Sequence, residues 1–198
     1  MIQTIDIHIT HPMSFERGKS YCVEAASGVG KSSLLHFIGG YRRDYEGQIC
    51  FDGRDIKTFS PSEWSMLYRT GLAYLFQDLR LFPSLTASEN VQLVNQHTAF
   101  RSQEEIKALF ERLSIADKRD TPVRLLSWGQ QQRVAAIRAL CQPCSFLLLD
   151  EPVSHLDDNN AAVLAALIRE EQLKRGFGII ATSVGKPLPI DYDQTIRL

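Results

Sequence analysis

Three tracts in fixed order carry residue types suited to handling a phosphate group. Ser27-Gly28-Val29-Gly30-Lys31-Ser32-Ser33 joins two glycines to a lysine and consecutive hydroxyls. Glycine lets backbone N–H groups approach an anion, lysine reaches its terminal charge, and a hydroxyl ligates a divalent cation. Far downstream, Phe146-Leu147-Leu148-Leu149-Asp150-Glu151-Pro152 is an apolar run ending in adjacent carboxylates. Between them, Leu126-Ser127-Trp128-Gly129-Gln130 places a hydroxyl and a glycine where a helical pattern begins. The chemistry these tracts support is binding of a nucleoside triphosphate with Mg²⁺ and transfer of its terminal phosphoryl group to water.

Each tract needs a scaffold. Ser20–Glu24 reads as a strand feeding the glycine-containing loop, and Ser33–Ile38 as a helix stopped by Gly39-Gly40. A strand–loop–helix unit of this kind aims backbone N–H groups and the positive helix end at phosphates. The strict pattern G-x-x-x-x-G-K-[ST] has Ala25 at its first glycine. Lys31 is assigned to the terminal phosphates and Ser32 to Mg²⁺. Asp150 and Glu151 fall at the carboxyl end of a buried strand, where α/β sheets place ligand-handling groups. Asp150 is expected to complete the metal shell and Glu151 to orient or deprotonate the attacking water.

The remaining pattern gives the order of elements. Ile5–Ile9 alternates as a half-buried strand, Gly47–Gly53 is a short strand ending in an Asp-Gly turn, and Leu72–Phe76 is buried. From about Thr86 to Ala139 the periodicity is helical, with starts at Ser88-Glu89-Asn90, at a Ser102–Glu105 capping box, and at Trp128. Ala161–Lys174 reads as a helix, and Gly178–Thr182 and Gln194–Leu198 as strands. This order fits an α/β core with a helical insertion.

Composition narrows the classes. The chain has 198 residues and formal net charge -1, which points to one domain without a global basic field for nucleic acid. No apolar run approaches the ~18–20 residues that cross a bilayer. Met1–Ile7 lacks the basic, apolar character of a secretory signal, so a cytosolic location is expected. Cys141-Gln142-Pro143-Cys144 has metal-like or redox-like spacing with no second pair beside it. Those cysteines, with Cys22 and Cys50, are expected to be structural.

The middle tract with the outer two resembles the ATP-binding cassette (ABC) ATPases, and the motifs follow the family's order from Val23 to Thr182. Ser127-x-Gly129-Gln130 resembles the signature motif, with Trp128 at its tolerant middle position, and Gln130–Leu140 continues the likeness. The resemblance implies a P-loop NTPase fold: a mainly parallel sheet, a short N-terminal antiparallel β part and an inserted α-helical subdomain. It implies one cassette over residues 1–198, with a core of about 1–83 and 141–198 and a helical subdomain of about 84–140. ATP and Mg²⁺ would be held by residues 27–33, with Ser127, Gly129 and Gln130 acting on nucleotide across a dimer interface. Gln77 resembles the Q-loop glutamine, which touches metal or water, and Asp157 in Ser154-His155-Leu156-Asp157 holds the D-loop position. The implied partners are a second cassette, identical or not, and a multi-span membrane permease. The permease would seat a helix in a groove formed by the helical insertion and Leu79–Leu85, placing the chain at the inner face of the membrane.

Two departures stand out. Ser183 occupies the place of the family's switch histidine, and a serine hydroxyl is no proton carrier near neutral pH. No clear aromatic platform for adenine precedes the phosphate tract, where His8, His11, Phe15 and Tyr21 are the available rings. Slow hydrolysis is therefore expected. A non-transport or degenerate regulatory cassette is the alternative reading.

Overall fold

The computed structural model describes residues 2–5, 12–24 and 31–197. Two sheets form the frame. The larger has five parallel strands, in the order β6 (Leu72–Leu75), β7 (Phe146–Asp150), β8 (Gly178–Ser183), β3 (Ser20–Glu24) and β9 (Gln194–Arg197). The smaller is antiparallel, in the order β2 (Met13–Phe15), β1 (Ile2–Ile5), β4 (Gln48–Phe51) and β5 (Arg54–Asp55).

The larger sheet is covered on both faces, so its central strands read as unbroken apolar runs. Along β7 the side chains alternate between two cores. Leu147 and Leu149 pack with Ala73, Leu75, Ile179 and Ala181 against the downstream helices. Phe146 and Leu148 pack with Leu72, Ile180 and Val23 against α1 (Lys31–Ile38). Gly178 faces Phe146 so closely that an added Cβ would lie 2.5 Å from the ring.

Between β6 and β7 the chain is helical: α3 (Ala87–Asn95), α4 (Gln103–Arg112) and α5 (Trp128–Leu140). Each begins with a capping box, Thr86 with Glu89, Ser102 with Glu105, and Ser127 with Gln130, which satisfies otherwise unpaired N–H groups. The helix expected from Ser88 starts one residue earlier because Thr86 supplies the cap. The helix expected at Ala161–Lys174 is longer: α6 spans Asp158–Arg175, with Asp157 as its N-cap and Gly176 (φ 72) closing it in the left-handed region.

Other expectations shift in detail. The strand placed at Ile5–Ile9 begins earlier, with β1 ending at Ile5, and residues 6–9 lie outside the described residues. The Asp52-Gly53 turn forms with both residues at positive φ, 48 and 82, and opens the β4–β5 hairpin. An additional helix, α2 (Pro61–Met66), is signalled by Ser60-Pro61-Ser62-Glu63, a capping box with proline at the first helical position. It runs into a π-helical turn, Leu67–Gly71, which feeds β6.

Candidate active site

Parallel register lines up the candidate residues along one edge. Leu75 pairs with Leu149, Leu149 with Ala181, and Cys22 with Ala181. Two residues further along each strand lie Gln77, Glu151, Ser183 and Glu24, in a row at the carboxyl end of the sheet. The edge receives the N-terminus of α1, which opens at Lys31 within the phosphate tract. Ser27, Gly28, Val29 and Gly30 lie outside the described residues.

The densest polar contacts surround Asp150, which is 2% exposed. Ser32 Oγ donates to Asp150 Oδ1 at 3.0 Å, and Thr182 Oγ1 donates to the same oxygen at 2.7 Å. The Thr182 hydroxyl also accepts from Glu151 N at 3.2 Å. One buried threonine thus ties the two adjacent carboxylate residues together. Glu151 has φ 48, a left-handed backbone that disfavours residues with a Cβ, and its carbonyl accepts from Ser154 N, Ser154 Oγ and Gln132 Nε2.

The hydroxyl of Ser32 and the carboxylate of Asp150 form the hard-oxygen pair that suits Mg²⁺, which keeps most of its remaining ligands as water and phosphate. The residues present therefore fit Mg²⁺ with a nucleotide phosphate. Ser33 lies half-buried, and its Oγ accepts from Arg42 Nη1 at 2.8 Å.

The two flanking members of the row differ. Gln77 is exposed just beyond β6. Leu79 (φ 58) and Arg80 (φ 46) follow it, two consecutive left-handed residues whose carbonyls are clamped by Arg138 at 2.6 Å each. Burial pulls the Arg138 guanidinium down to about 10. Ser183 is 3% exposed, and its Oγ has no hydrogen-bond partner among the described residues.

At the start of α5, Ser127 Oγ accepts from Gln130 N at 3.3 Å, and Gln130 Oε1 accepts from Ser127 N at 2.9 Å. The exposed Ser127 hydroxyl keeps its own proton to donate. A Cβ on Gly129 would lie 3.0 Å from His155 O, so the helix start and the Ser154–Asp157 turn approach backbone to backbone. Trp128, 47% exposed, meets His155 edge to face at 5.3 Å. Both Asp157 carboxylate oxygens are engaged by Asn160, which holds its carboxyl below the usual range.

A groove of about 370 Å³ runs beside the Leu79–Arg80 turn, walled by Tyr41, Tyr68, Tyr74, Phe76, Arg80 and Arg138. Tyr74 and Phe76 stack at 3.9 Å, with the Arg80 guanidinium 3.8 Å above Phe76. Of the apolar tract expected to border a groove, Phe82 is 55% exposed and Pro83 is exposed, whereas Leu81 packs partly against the core.

Sequence reasoning missed two contributors, Thr182 and Gln132. Thr182 gives no local sign of its part, which appears only once β7 and β8 are known to be neighbours in register. Gln132 offered no signal beyond its place in a glutamine run. All four cysteines are free, and burial raises the thiols of Cys22 and Cys144 to about 11 and of Cys141 to about 12, as expected of structural residues. Among the described residues, no cluster of histidine, cysteine and carboxylate side chains has the makings of a further metal site.

Comparison with known proteins agrees with this geometry. A family model described as ABC transporter matches residues 11–154. The ABC transporter ATP-binding protein YtrE of Bacillus subtilis is 31% identical over 85% of this chain and 74% of its own length. The macrolide export ATP-binding/permease protein MacB of Nitrosomonas europaea is 32% identical over 83% of this chain, which spans only 26% of that longer protein. The dimeric ATP-binding cassette MJ0796, solved bound to ADP and Pi, superposes with TM-score 0.76 at 26% identity, covering 92% of this chain and 88% of that one. No described helix is long and apolar enough to cross a membrane. On the family match, the shared fold and the ordered motifs, this chain belongs to the ABC transporter family as an ATP-binding cassette that powers transport.

Proposed function

We propose that the cassette binds Mg-ATP at the Ser32–Asp150 edge, closes head-to-tail on a second cassette, and reopens after hydrolysis to drive a membrane permease. The observation that carries this is the convergence of Ser32, Asp150, Thr182 and Glu151 beside the N-terminus of α1. Bound Mg²⁺ would neutralise charge on the phosphates. Lys31 and residues 27–33 hold those phosphates, Glu151 orients and deprotonates water, and Gln77 touches metal or water. Ser127, Gly129 and Gln130 act on the partner's nucleotide, with Asp157 at the seam between the two sites. Phosphoryl transfer of this type depends mainly on positioning and charge stabilisation.

The helical segment of about 84–140 acts as a subdomain that moves against the core. The aromatic groove beside Arg80 receives a short helix of the permease, which holds the cassette at the cytoplasmic face of the membrane. Serine in place of a histidine at the switch position, Ser183, favours slow turnover, or dependence on a more competent second cassette. Asp150→Asn tests the reading: Mg²⁺-dependent ATP turnover by the purified chain should disappear. Turnover unchanged in this variant would refute it.

A further inference from the structure

We propose that Gln132 is a positioning residue for Glu151, coupling the water-handling carboxylate to the helix that carries Ser127 and Gly129. The proposal rests on the reading of Glu151 as the residue that handles water. Gln132 lies in the second turn of α5 and is 2% exposed. Its amide bridges two backbone groups of the loop beyond β7. Nε2 donates to Glu151 O at 3.3 Å, and Oε1 accepts from His155 N at 3.2 Å. A carbonyl only accepts and an N–H only donates, so these partners fix the orientation of the amide without ambiguity.

The place of this bridge is what gives it consequence. The Glu151 backbone is left-handed, so it holds its course only while neighbours constrain it. Thr182 fixes its N–H from β8. Ser154, an exposed residue of the same turn, bonds its carbonyl locally. Among the described residues, Gln132 is the one side chain from a separate element that grips that carbonyl. The same amide grips the N–H of His155, whose carbonyl abuts Gly129. A rotation of α5 therefore moves the Glu151 carbonyl and the Ser154–Asp157 turn together. In a head-to-tail dimer, the start of α5 faces the partner's nucleotide, so closure over one site would set the carboxylate in the other.

The test is steady-state ATP hydrolysis by the full chain, comparing Gln132→Leu, Gln132→Met and Glu151→Gln, with Mg-ATP affinity measured by calorimetry for Glu151→Gln and the double variant Gln132→Leu/Glu151→Gln. Gln132→Leu should lower kcat about tenfold and leave KM for ATP within about twofold, with a modest fall in melting temperature as Glu151 O and His155 N each lose a partner. Gln132→Met, of similar length and uncharged but lacking the donor arm, should fall as far. In the Glu151→Gln background, Gln132→Leu should leave the affinity for Mg-ATP unchanged, because it acts through the carboxylate and not through nucleotide binding. If both Gln132 variants keep kcat while Glu151→Gln abolishes it, the inference fails and the reading of Glu151 stands. A weakened affinity for Mg-ATP in the double variant would also overturn it. If Glu151→Gln keeps full turnover, the reading of Glu151 fails and takes the inference with it. Should Gln132→Leu lose its fold, the unbranched and uncharged Gln132→Met decides.

Discussion

Thr182 Oγ1 donates to Asp150 Oδ1 at 2.7 Å from the paired position on the neighbouring parallel strand. That oxygen also takes the hydroxyl of Ser32, so both strand and helix converge on one carboxylate atom. Removing the Thr182 hydroxyl leaves Asp150 and the Glu151 N–H each short of a buried partner. A buried group stripped of its partner costs about 1–3 kcal/mol. Thr182→Val is expected to lower stability by about that amount and to raise the Mg²⁺ concentration needed for nucleotide binding, with Thr182→Ser restoring both. Calorimetric ATP titrations at stepped Mg²⁺ would show it, and an unchanged Mg²⁺ requirement in Thr182→Val would contradict the role.

Ser183 presents the opposite situation, a buried hydroxyl without a hydrogen-bond partner among the described residues. Replacing it by alanine removes an unsatisfied group, so Ser183→Ala should be neutral or slightly stabilising, by up to about 1 kcal/mol. Ser183→His is expected to raise turnover several-fold. Denaturant midpoints and turnover measured side by side would check both outcomes. A large destabilisation in Ser183→Ala would mean that the hydroxyl has a partner in solution.

Gly129 separates stability from function. In the first turn of α5, alanine has better helix propensity than glycine by about 1 kcal/mol. The new Cβ would press on His155 O at 3.0 Å, which roughly offsets that gain. Gly129→Ala should therefore melt within a few degrees of the parent while losing most of its turnover, because the helix start can no longer approach the turn. Normal activity in Gly129→Ala would argue against this seam as a working surface.

His36 supplies a pH dependence of known sign. Burial holds its imidazole below the ordinary value, with the nearby Asp150 partly opposing the shift. The folded chain then binds fewer protons than the unfolded chain around pH 6–6.5, so stability contributed by neutral His36 is present above about pH 6.5 and lost below it. Urea midpoints at pH 7.5, 6.5 and 5.5 should fall more steeply in the parent than in His36→Gln. Parallel falls would remove His36 from the account.

Much of this arrangement was readable from residue patterns, and the exceptions have physical causes. Runs such as Phe146–Leu149 announce doubly covered strands, and the capping box at Ser102 marks a helix start from local chemistry alone. α2 also carried its signal, in Ser60-Pro61-Ser62-Glu63, but the apolar periodicity that follows is too short to stand out. Asp150 and Glu151 were legible because their chemistry is concentrated in adjacent residues. Thr182 and Gln132 were not, because their parts depend on register between strands and on which face of α5 meets the loop. Those are tertiary facts, and a single threonine or glutamine gives no local sign of them. The groove residues are likewise scattered, from Tyr41 to Arg138, and only the fold assembles them.

The most direct measurement is ATP turnover by the purified chain beside Glu151→Gln, with mass followed by light scattering in Mg-ATP. The account predicts measurable turnover in the parent, its loss in Glu151→Gln, and an ATP-stabilised dimer in that variant. Turnover that survives Glu151→Gln undiminished would contradict the assignment of this edge as the site of hydrolysis.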